Sequence, residues 1–319
     1  MTAHRRVRRQ VMIVKQSWLT VVICFAVTSA AAAHDSWLIA DKSRLNDGEN
    51  LWLSFVTGEV FPMGEVATAP QRVESFIDVF HGVRREVAGY APKDLGLSLM
   101  SPMRDGGIHV IGCALSPHTI SMTPEKFEAY LREERADKAL AHFTATRGQS
   151  EKIEELYSKF TKTLIEVAPA DENDQGFLTP LGHRLEIVPL SNPARWNAQD
   201  QVQDKVLLDG HPWPDLPLTL GHEGLGPHEV IQETKTDALG LATIKLTRAG
   251  HGCLMSHFIR PTDTLGRCQW ESFWASLTFR AIGAVDVGGE LQAIRAIHGA
   301  IDPWAVAGYR MGRMAMRSL

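Results

Sequence analysis

The chain has little excess charge of either sign. Its 33 lysine and arginine residues face 37 aspartate and glutamate residues, which gives a formal net charge of -4 at pH 7. A protein that binds a phosphate backbone carries a basic stripe or patch, whereas the strongest cationic run here, HRRVRRQ, lies at the very beginning of the sequence. Nucleic acid is therefore not an expected partner.

The sequence also lacks the short motifs that mark common catalytic sites. It contains no G-x-S-x-G nucleophile elbow, no H-E-x-x-H pair, no G-x-x-x-x-G-K-[ST] phosphate loop and no G-x-G-x-x-G turn after a strand. The pairs Glu133-Glu134 and Glu154-Glu155 lie in polar segments with helical spacing, where we expect solvent-exposed ion pairs. The sequence thus predicts a protein without enzymatic activity.

Cysteine is scarce as well, and four residues do not make a disulfide framework. Cys24 lies in the N-terminal apolar stretch, which leaves Cys113, Cys253 and Cys268. In an oxidising compartment Cys253 and Cys268 can bridge if they lie on neighbouring strands, with Cys113 as a buried thiol. The sequence leaves open whether they do.

The N-terminus carries the three parts of a secretory signal. The basic run is followed by the apolar stretch WLTVVICFAVTSAAAA, which contains the small residues Ala31 and Ala33 of an A-x-A cleavage site. An uncleaved anchor is the alternative, but about 16 apolar residues are short for a span of roughly 20. We expect residues 1-33 to be a signal peptide cleaved after Ala33, a periplasmic or secreted protein, and no membrane span in the mature chain.

Strand patterns fill the first part of the mature chain. LWLSFVTG, VESFIDVFHG and GIHVIGCAL alternate partly in hydrophobicity and are bounded by Gly, Pro or Asp. Between about 123 and 160 the apolar residues recur at helical spacing instead, and Thr123 followed by Pro124 is typical of a helix start. The sequence predicts an N-terminal β-sandwich over 34-170 with a helical insert.

A second module is predicted beyond the polar run APADENDQGFLTPLG, which favours a linker at 171-180. Strand-sized pieces continue over 181-281, and 282-319 returns to helical spacing in a methionine-rich tail. The predicted fold class is mainly β, with two immunoglobulin- or transthyretin-like antiparallel β-sandwich modules, a helical insert and a helical C-terminal tail.

Several motifs together resemble one bacterial family, the domain-of-unknown-function family 4198. They are AHDSWLIA, PEKFEAYLREE, YSKFTKTLIEV, TPLGHRLEIVPLSNP, VLLDGHPW, TDALGLATIKL and WESFWASLTF. The resemblance covers His34 to about Arg280 and implies exported β-sandwich proteins described as nickel or cobalt uptake components. By motif position it implies metal roles for His34, His183 and His257. The tail resembles the first helix of E-type domains of formylmethanofuran dehydrogenase, from which no activity carries over.

His34 is the strongest candidate metal ligand. Once Ala33 is removed, the α-amine and ring nitrogen of His34 can chelate one ion together, and a further histidine gives a three-nitrogen copper site. Asp35 can accept a hydrogen bond or orient a ligand as a neighbouring carboxylate. The alternative is a loose terminal residue in front of the strand that begins at Trp37.

Two further histidine groups lie in the second module. In GHEGLGPHE, His222 and His228 with nearby glutamates either close on one ion or are solvated loop residues. In GHGCLMSHF an extended strand turns alternate residues to one face: His251, Cys253, Met255 and His257. These residues either mix nitrogen and sulfur ligands or pack in the core.

These patterns favour a non-catalytic accessory protein that binds a divalent transition metal ion (Ni, Co or Cu). His34 with His257 and His183 would capture the ion and pass it to a membrane metal transporter or another envelope protein. The alternative is a structural or interaction module of the cell envelope that binds a protein or glycan. A third hypothesis is a copper oxidase with an N-terminal histidine brace, which requires the amine of His34.

Overall fold

Strands account for most of the described chain. A computed structural model describes residues 34–146, 151–226, 229–262, 266 and 268–283, with single positions at 294, 308, 309 and 311. The predicted signal peptide and nearly all of the predicted C-terminal tail lie outside these residues. No helix in the described part of the chain is long and apolar enough to cross a membrane.

Eight strands precede the helices. β3 alternates buried and more exposed residues over NLWLSFVTG, as expected for a strand with one face on a core. In chain order the strands are β1 (Asp35–Ala40), β2 (Arg44–Asn46), β3 (Asn50–Gly58), β4 (Val73–Phe80), β5 (Val83–Glu86), β6 (Ala91–Lys93), β7 (Gly96–Pro102) and β8 (Gly107–Met122).

Two helices follow, α1 (Pro124–Glu133) and α2 (Asp137–Thr146). The predicted start of α1 is confirmed, because the side chain of Thr123 accepts a hydrogen bond from the backbone N–H of Lys126. The later strands are β9 (Ile153–Ala168), β10 (Leu185–Pro189), β11 (Gln201–Leu208), β12 (His211–Pro212), β13 (Pro217–His222), β14 (Gln232–Lys235), β15 (Leu241–Lys245), β16 (Gly250–Pro261) and β17 (Trp270–Ala281).

The described strands form three sheets. The central sheet has nine strands in the order β14-β13-β16-β17-β9-β8-β4-β5, with β2 also beside β9. One four-stranded sheet has the order β1-β3-β7-β6, and another joins β10, β11, β12 and β15. Pairing is antiparallel except at β9, where β17 and β2 run parallel. The predicted fold class, mainly β with antiparallel sheets, is confirmed.

The central sheet is buried on both faces. Val110 and Phe160 on one face pack into a core with β10, β11 and β15. Ile111 and Ile165 on the other face pack against the sheet that contains β1, β3 and β7. Neighbouring residues of a strand point to opposite faces, so β9 is buried without interruption over 158–167.

The two predicted modules share this central sheet. β17 pairs with β9 from Trp270 opposite Glu155 to Thr278 opposite Thr163, and the chain from Ala33 onward is one compact unit. The predicted linker 171–180 therefore connects β9 to β10 without separating two independent sheets. Local patterns show where a strand begins and ends, but they do not show which distant strand pairs with it.

The helical insert is shorter than predicted. α2 ends at Thr146 and β9 begins at Ile153, which places Glu155 in a strand. Glu155 is 2% exposed and accepts hydrogen bonds from the hydroxyls of Tyr130, at 3.1 Å, and Ser272. The prediction of a solvated helix face is wrong at Glu155, because buried hydroxyl donors from two other elements replace its water.

The three described cysteines are free and buried. Cys253 lies opposite Thr278 near one end of β17, whereas Cys268 precedes Trp270 at the other end. A strand advances about 3.3 Å per residue, so Trp270 and Thr278 are roughly 25 Å apart. A disulfide needs Cα atoms within about 7 Å, and the bridge between Cys253 and Cys268 is therefore not formed.

His109 on β8 is a buried histidine with two acceptors. Its Nδ1 lies 2.8 Å from Oδ2 of Asp78, and its Nε2 lies 3.0 Å from the carbonyl oxygen of Asp105. A ring that faces two acceptors is best satisfied when both nitrogens carry protons. Burial acts to lower the pKa of His109, but the hydrogen bond to Asp78 and its charge outweigh burial and raise the pKa above 6.5.

This arrangement predicts a pH dependence of stability. Because its pKa is raised in the folded state, His109 contributes its full stabilisation below about pH 6.5 and loses it as the pH rises through the raised value. We expect the free energy of unfolding of the wild type, relative to that of His109→Gln, to fall above pH 6.5 in a series of urea titrations. A difference that stays constant across this range would show that His109 is not charged.

Candidate metal site at the start of the first strand

A cleft of about 130 Å³ opens beside the first residues of β1. The loop after β3, the end of α1 and strands β13 and β16 complete its wall. Asp35 lies opposite Gly58 in the antiparallel pairing of β1 with β3, which brings His34 next to Glu59. The wall also carries Glu134 and His257, so residues distant in sequence meet in one place.

Three side chains at this cleft have the spacing of metal ligands. One ligand atom from each of His34, Glu59 and Glu65 lies within 4.8 Å of the other two. Nε2 of His34 is 3.6 Å from Oε1 of Glu59. Two atoms that bind one ion at about 2.1 Å are at most about 4.2 Å apart, so small side-chain adjustments suffice. His34 and Glu59 are partly exposed, so an ion can reach them.

The loop that carries the two glutamates is fixed to β1. Its ends are joined by a bridge between Thr57 and Val66, and the backbone N–H of Glu65 donates to the carbonyl oxygen of Thr57 at 2.8 Å. The backbone N–H of Glu59 donates to Oε2 of Glu65 at 3.2 Å. The hydroxyls of Ser36 and Thr57 are 2.8 Å apart. The site is thus organised before any ion binds.

Gly58 permits the tight return of this loop. A Cβ atom at Gly58 would lie 2.4 Å from the carbonyl oxygen of Met63 and 3.3 Å from Cγ of Glu65. We expect Gly58→Ala to weaken nickel binding about tenfold, or ~1.4 kcal/mol, in isothermal titration, because the loop must move away from His34. Gly210→Ala is the control, since it strains a left-handed turn by about 1 kcal/mol where no other atom lies within 4 Å. Equal affinities in the two variants would contradict the role of Gly58.

His257 on β16 forms another part of the cleft wall. Its ring packs on Trp274 with centroids 5.2 Å apart, and its Nδ1 lies 4.0 Å from Oε2 of Glu134. Burial lowers the pKa of His257 to about 4, so its ring is neutral at pH 7 and able to bind a metal ion. Burial, reinforced by neighbouring carboxylates, raises the pKa of Glu134 to about 8. The predicted solvated ion pair is therefore wrong at Glu134, which turns toward the sheet at the end of α1.

Lys159 on β9 holds the backbone of His34 at the cleft. Its Nζ donates a hydrogen bond to the carbonyl oxygen of His34. Burial lowers the pKa of Lys159 to about 8, while the negative charge of Asp35 acts in the opposite direction. The first described residue of the chain is thus attached to the central sheet as well as to β3.

His183 lies on the opposite face of the central sheet. Its ring stacks on Phe160 with centroids 5.2 Å apart, whereas the adjacent residue of β9, Lys159, reaches His34. Neighbouring residues of a strand point to opposite faces, so the sheet separates His183 from His34. The predicted ligand set of His34, His257 and His183 is not assembled, although His34 and His257 share the cleft.

The predicted loop ligands are placed differently. His222 lines the cleft, but its Nδ1 lies 2.9 Å from the carbonyl oxygen of Glu223 and its Nε2 lies 3.2 Å from that of Ala249. With both nitrogens against backbone acceptors, His222 links two loops and has no nitrogen directed at the cleft. His228 lies outside the described residues.

The strand GHGCLMSHF turns alternate residues toward β1, as predicted. Cys253 packs with Trp37, and burial raises the pKa of the Cys253 thiol, so this cysteine fills the core instead of binding metal as a thiolate. His251 lines a separate small pocket with Arg280. Six residues of strand put His251 roughly 20 Å from His257, too far for one ion.

Sequence reasoning did not find Glu59 and Glu65. Both lie in TGEVFPMGEV, which looks like an ordinary exposed loop because Gly, Pro and Glu are common there. The useful signal is that Gly58 ends the strand that pairs with the first strand. A residue just after that end must lie beside His34.

The fold and the site define a mainly β protein with a candidate metal site where its first strand begins. The chain belongs to the family described as Domain of unknown function (DUF4198), whose model matches residues 31–254. The resemblance seen in the sequence motifs is therefore confirmed. A search of the curated proteins finds no significant match.

Some solved structures align with the chain at low similarity. The D0-D1 domain of Intimin is 12% identical with a TM-score of 0.20, over 77% of this chain and 98% of that chain. Salmonella alpha-2-macroglobulin reacted with methylamine is 11% identical with a TM-score of 0.22, over 77% and 15%. The Yersinia pseudotuberculosis adhesin InvE is 9% identical with a TM-score of 0.20, over 76% and 58%. Likenesses of this size support no inference about function.

Proposed function

We propose that the protein is a metal-handling protein of the cell envelope that captures a divalent transition metal ion, Ni, Co or Cu. The ion binds at His34, Glu59 and Glu65. The observation that carries the proposal is the mutual spacing of their ligand atoms, all within 4.8 Å. The hydrogen bonds that fix the glutamate loop to β1 support it, because a site organised in advance loses less entropy on binding.

The donor set favours a borderline transition metal. The side chains provide one imidazole nitrogen and carboxylate oxygens. Cleavage of the signal peptide after Ala33 adds the α-amine of His34, next to a backbone that Lys159 holds in place. Two nitrogens with two oxygens suit Cu(II) or Ni(II) in tetragonal geometry. All-oxygen sites, which hard ions such as Mg²⁺ and Ca²⁺ prefer, differ from this set.

The position of the site suits exchange rather than permanent storage. His34 and Glu59 are partly exposed at the cleft, and a site that keeps open positions for water exchanges its ion more easily than a closed four-ligand site. The neutral imidazole of His257 lines the same cleft and offers a further ligand during transfer. The receiving partner is a membrane metal transporter or another envelope protein.

Two measurements test this function. Mass spectrometry of the exported protein should give His34 as the first residue, and titration with nickel, copper and zinc should show one ion bound per chain. A protein that keeps one extra alanine before His34 is the matched control, and it should bind more weakly because its amine is displaced. If no metal binds stoichiometrically, the metal function fails and the alternative of a structural or interaction module is favoured.

A further inference from the structure

A second group of ionisable side chains lies inside the core on the other face of the central sheet. Lys162 and Glu186 are each 2% exposed, and Asp204 is fully buried. The surrounding residues are apolar and come from β9, β10, β11 and β17. Charges in such a place cost several kcal/mol each unless they are paired and hydrogen-bonded, so this group needs a physical explanation.

Lys162 and Glu186 satisfy each other. Nζ of Lys162 lies 2.5 Å from Oε1 of Glu186 and donates to the carbonyl oxygen of Ile187 at 2.8 Å. Glu186 also accepts hydrogen bonds from three successive backbone N–H groups, those of Leu181, Gly182 and His183. The carboxylate is therefore fixed in position beside the lysine.

Asp204 is not satisfied in this way. Neither of its carboxyl oxygens has a hydrogen-bond partner among the described residues. Burial raises the pKa of Asp204 to about 8, against the opposing charge of Lys162, so it is mainly a neutral carboxylic acid at pH 7. Even a neutral buried acid without partners is unfavourable.

Lys162 and Asp204 face each other across the core. Lys162 alternates on β9 with Phe160 and Leu164, and Asp204 alternates on β11 with Val202 and Val206; these four apolar residues belong to one core cluster. Alternate residues of a strand share a face. The central sheet therefore presents Lys162 toward the sheet that presents Asp204.

His183 completes the group. The residue opposite Lys162 on β8 is Gly112, and a Cβ there would lie 2.9 Å from Cε1 of His183. The missing side chain thus makes room for the imidazole ring next to Lys162. Nε2 of His183 is buried and has no hydrogen-bond partner among the described residues. A basic nitrogen without a proton partner is available at this point.

We propose that Lys162 and Asp204 form an intramolecular amide bond that links the central sheet to the sheet of β10 and β11. Glu186 takes a proton from the Lys162 ammonium, and the neutral Nζ attacks Cγ of the Asp204 carboxylic acid. The bond from Cγ to its hydroxyl oxygen breaks, and this hydroxyl leaves as water with the proton that Glu186 carried. The second proton lost from nitrogen goes to Nε2 of His183, so charge is conserved and no oxidant is needed.

The product removes both unfavourable groups at once. A buried ammonium and an unpaired carboxyl become one amide, and the positive charge moves to His183 near the Glu186 carboxylate. Before reaction Lys162 contacts Glu186 and Ile187, so its flexible side chain must rotate toward Asp204. The apolar surroundings exclude the water that would hydrolyse the bond.

Intact mass spectrometry of the denatured, full-length mature protein tests this proposal. We expect a mass lower by one water molecule than the sequence from the determined first residue requires. A tryptic digest should contain a branched peptide that joins the segments around Lys162 and Asp204, with no cleavage after Lys162. Asp204→Ala should restore the full mass. Lys205→Met should keep the loss, because Lys205 neighbours Asp204 on β11 and points to the other face.

The wild-type protein alone decides the outcome, whether or not the variants fold. A full mass together with normal cleavage after Lys162 overturns the proposal. A loss of water that persists in Asp204→Ala also overturns it, since the linkage would then lie elsewhere.

Discussion

Replacing His34 by alanine should lower the affinity of the mature protein for nickel or copper by about 100-fold, or ~2.7 kcal/mol. His34 supplies the imidazole nitrogen of the site, and its removal leaves carboxylates that hold borderline metals more weakly. Titration against a competing chelator measures the change. The backbone amine remains in this variant, so some affinity should persist.

His251→Ala is the matched control for this experiment. His251 follows the same strand face as His257 but lines a separate pocket with Arg280. Its replacement should leave metal affinity unchanged. An equal loss in both variants would indicate nonspecific binding by surface histidines, and no loss in His34→Ala would remove His34 from the site.

Replacing Trp37 by alanine should lower the free energy of unfolding by about 3–5 kcal/mol. Trp37 is 1% exposed on β1 and packs edge-on against Phe61 of the glutamate loop, with centroids 5.4 Å apart. It also contacts the core at Cys253. The cavity left by the indole would therefore destabilise the fold and loosen the loop that carries Glu59 and Glu65.

Urea unfolding monitored by circular dichroism measures this loss. Trp213→Ala serves as the control, because Trp213 is 39% exposed and surface substitutions usually change stability by about 0.5 kcal/mol or less. If the two variants lose the same stability, Trp37 does not hold the first strand to the rest of the fold.

Much of the fold could be predicted because it depends on local patterns. Alternation over NLWLSFVTG marks β3, and Thr123 with Pro124 marks the start of α1, since both signals come from neighbouring residues. The shared central sheet could not be predicted in this way. The pairing of β17 with β9 joins residues more than 100 positions apart, and a strand buried on both faces has no polar side to show its register.

The candidate site divides along the same line. His34 and His257 were identified from the types of donor they offer, and they do line one cleft. Glu59 and Glu65 become ligands only through the pairing of β1 with β3, which local patterns do not give. His183 has an equally suitable imidazole, but the central sheet places it on the other face, where it stacks on Phe160.

The charged residues of the core illustrate a second limit of sequence reasoning. Lys162 and Asp204 look like ordinary polar positions in their strands, because charge in a sequence predicts exposure. Burial becomes visible only when the outer sheet of β10, β11 and β15 covers them. Such residues are informative once the fold is known, since each requires a partner or a reaction.

Anomalous X-ray scattering from crystals of the mature protein soaked in a nickel salt tests the metal function most directly. We expect one strong peak bounded by His34, Glu59 and Glu65, with the ring nitrogen and carboxylate oxygens about 2.0–2.2 Å from the ion. A peak at His251 or His183 with none beside His34 would contradict the proposed site.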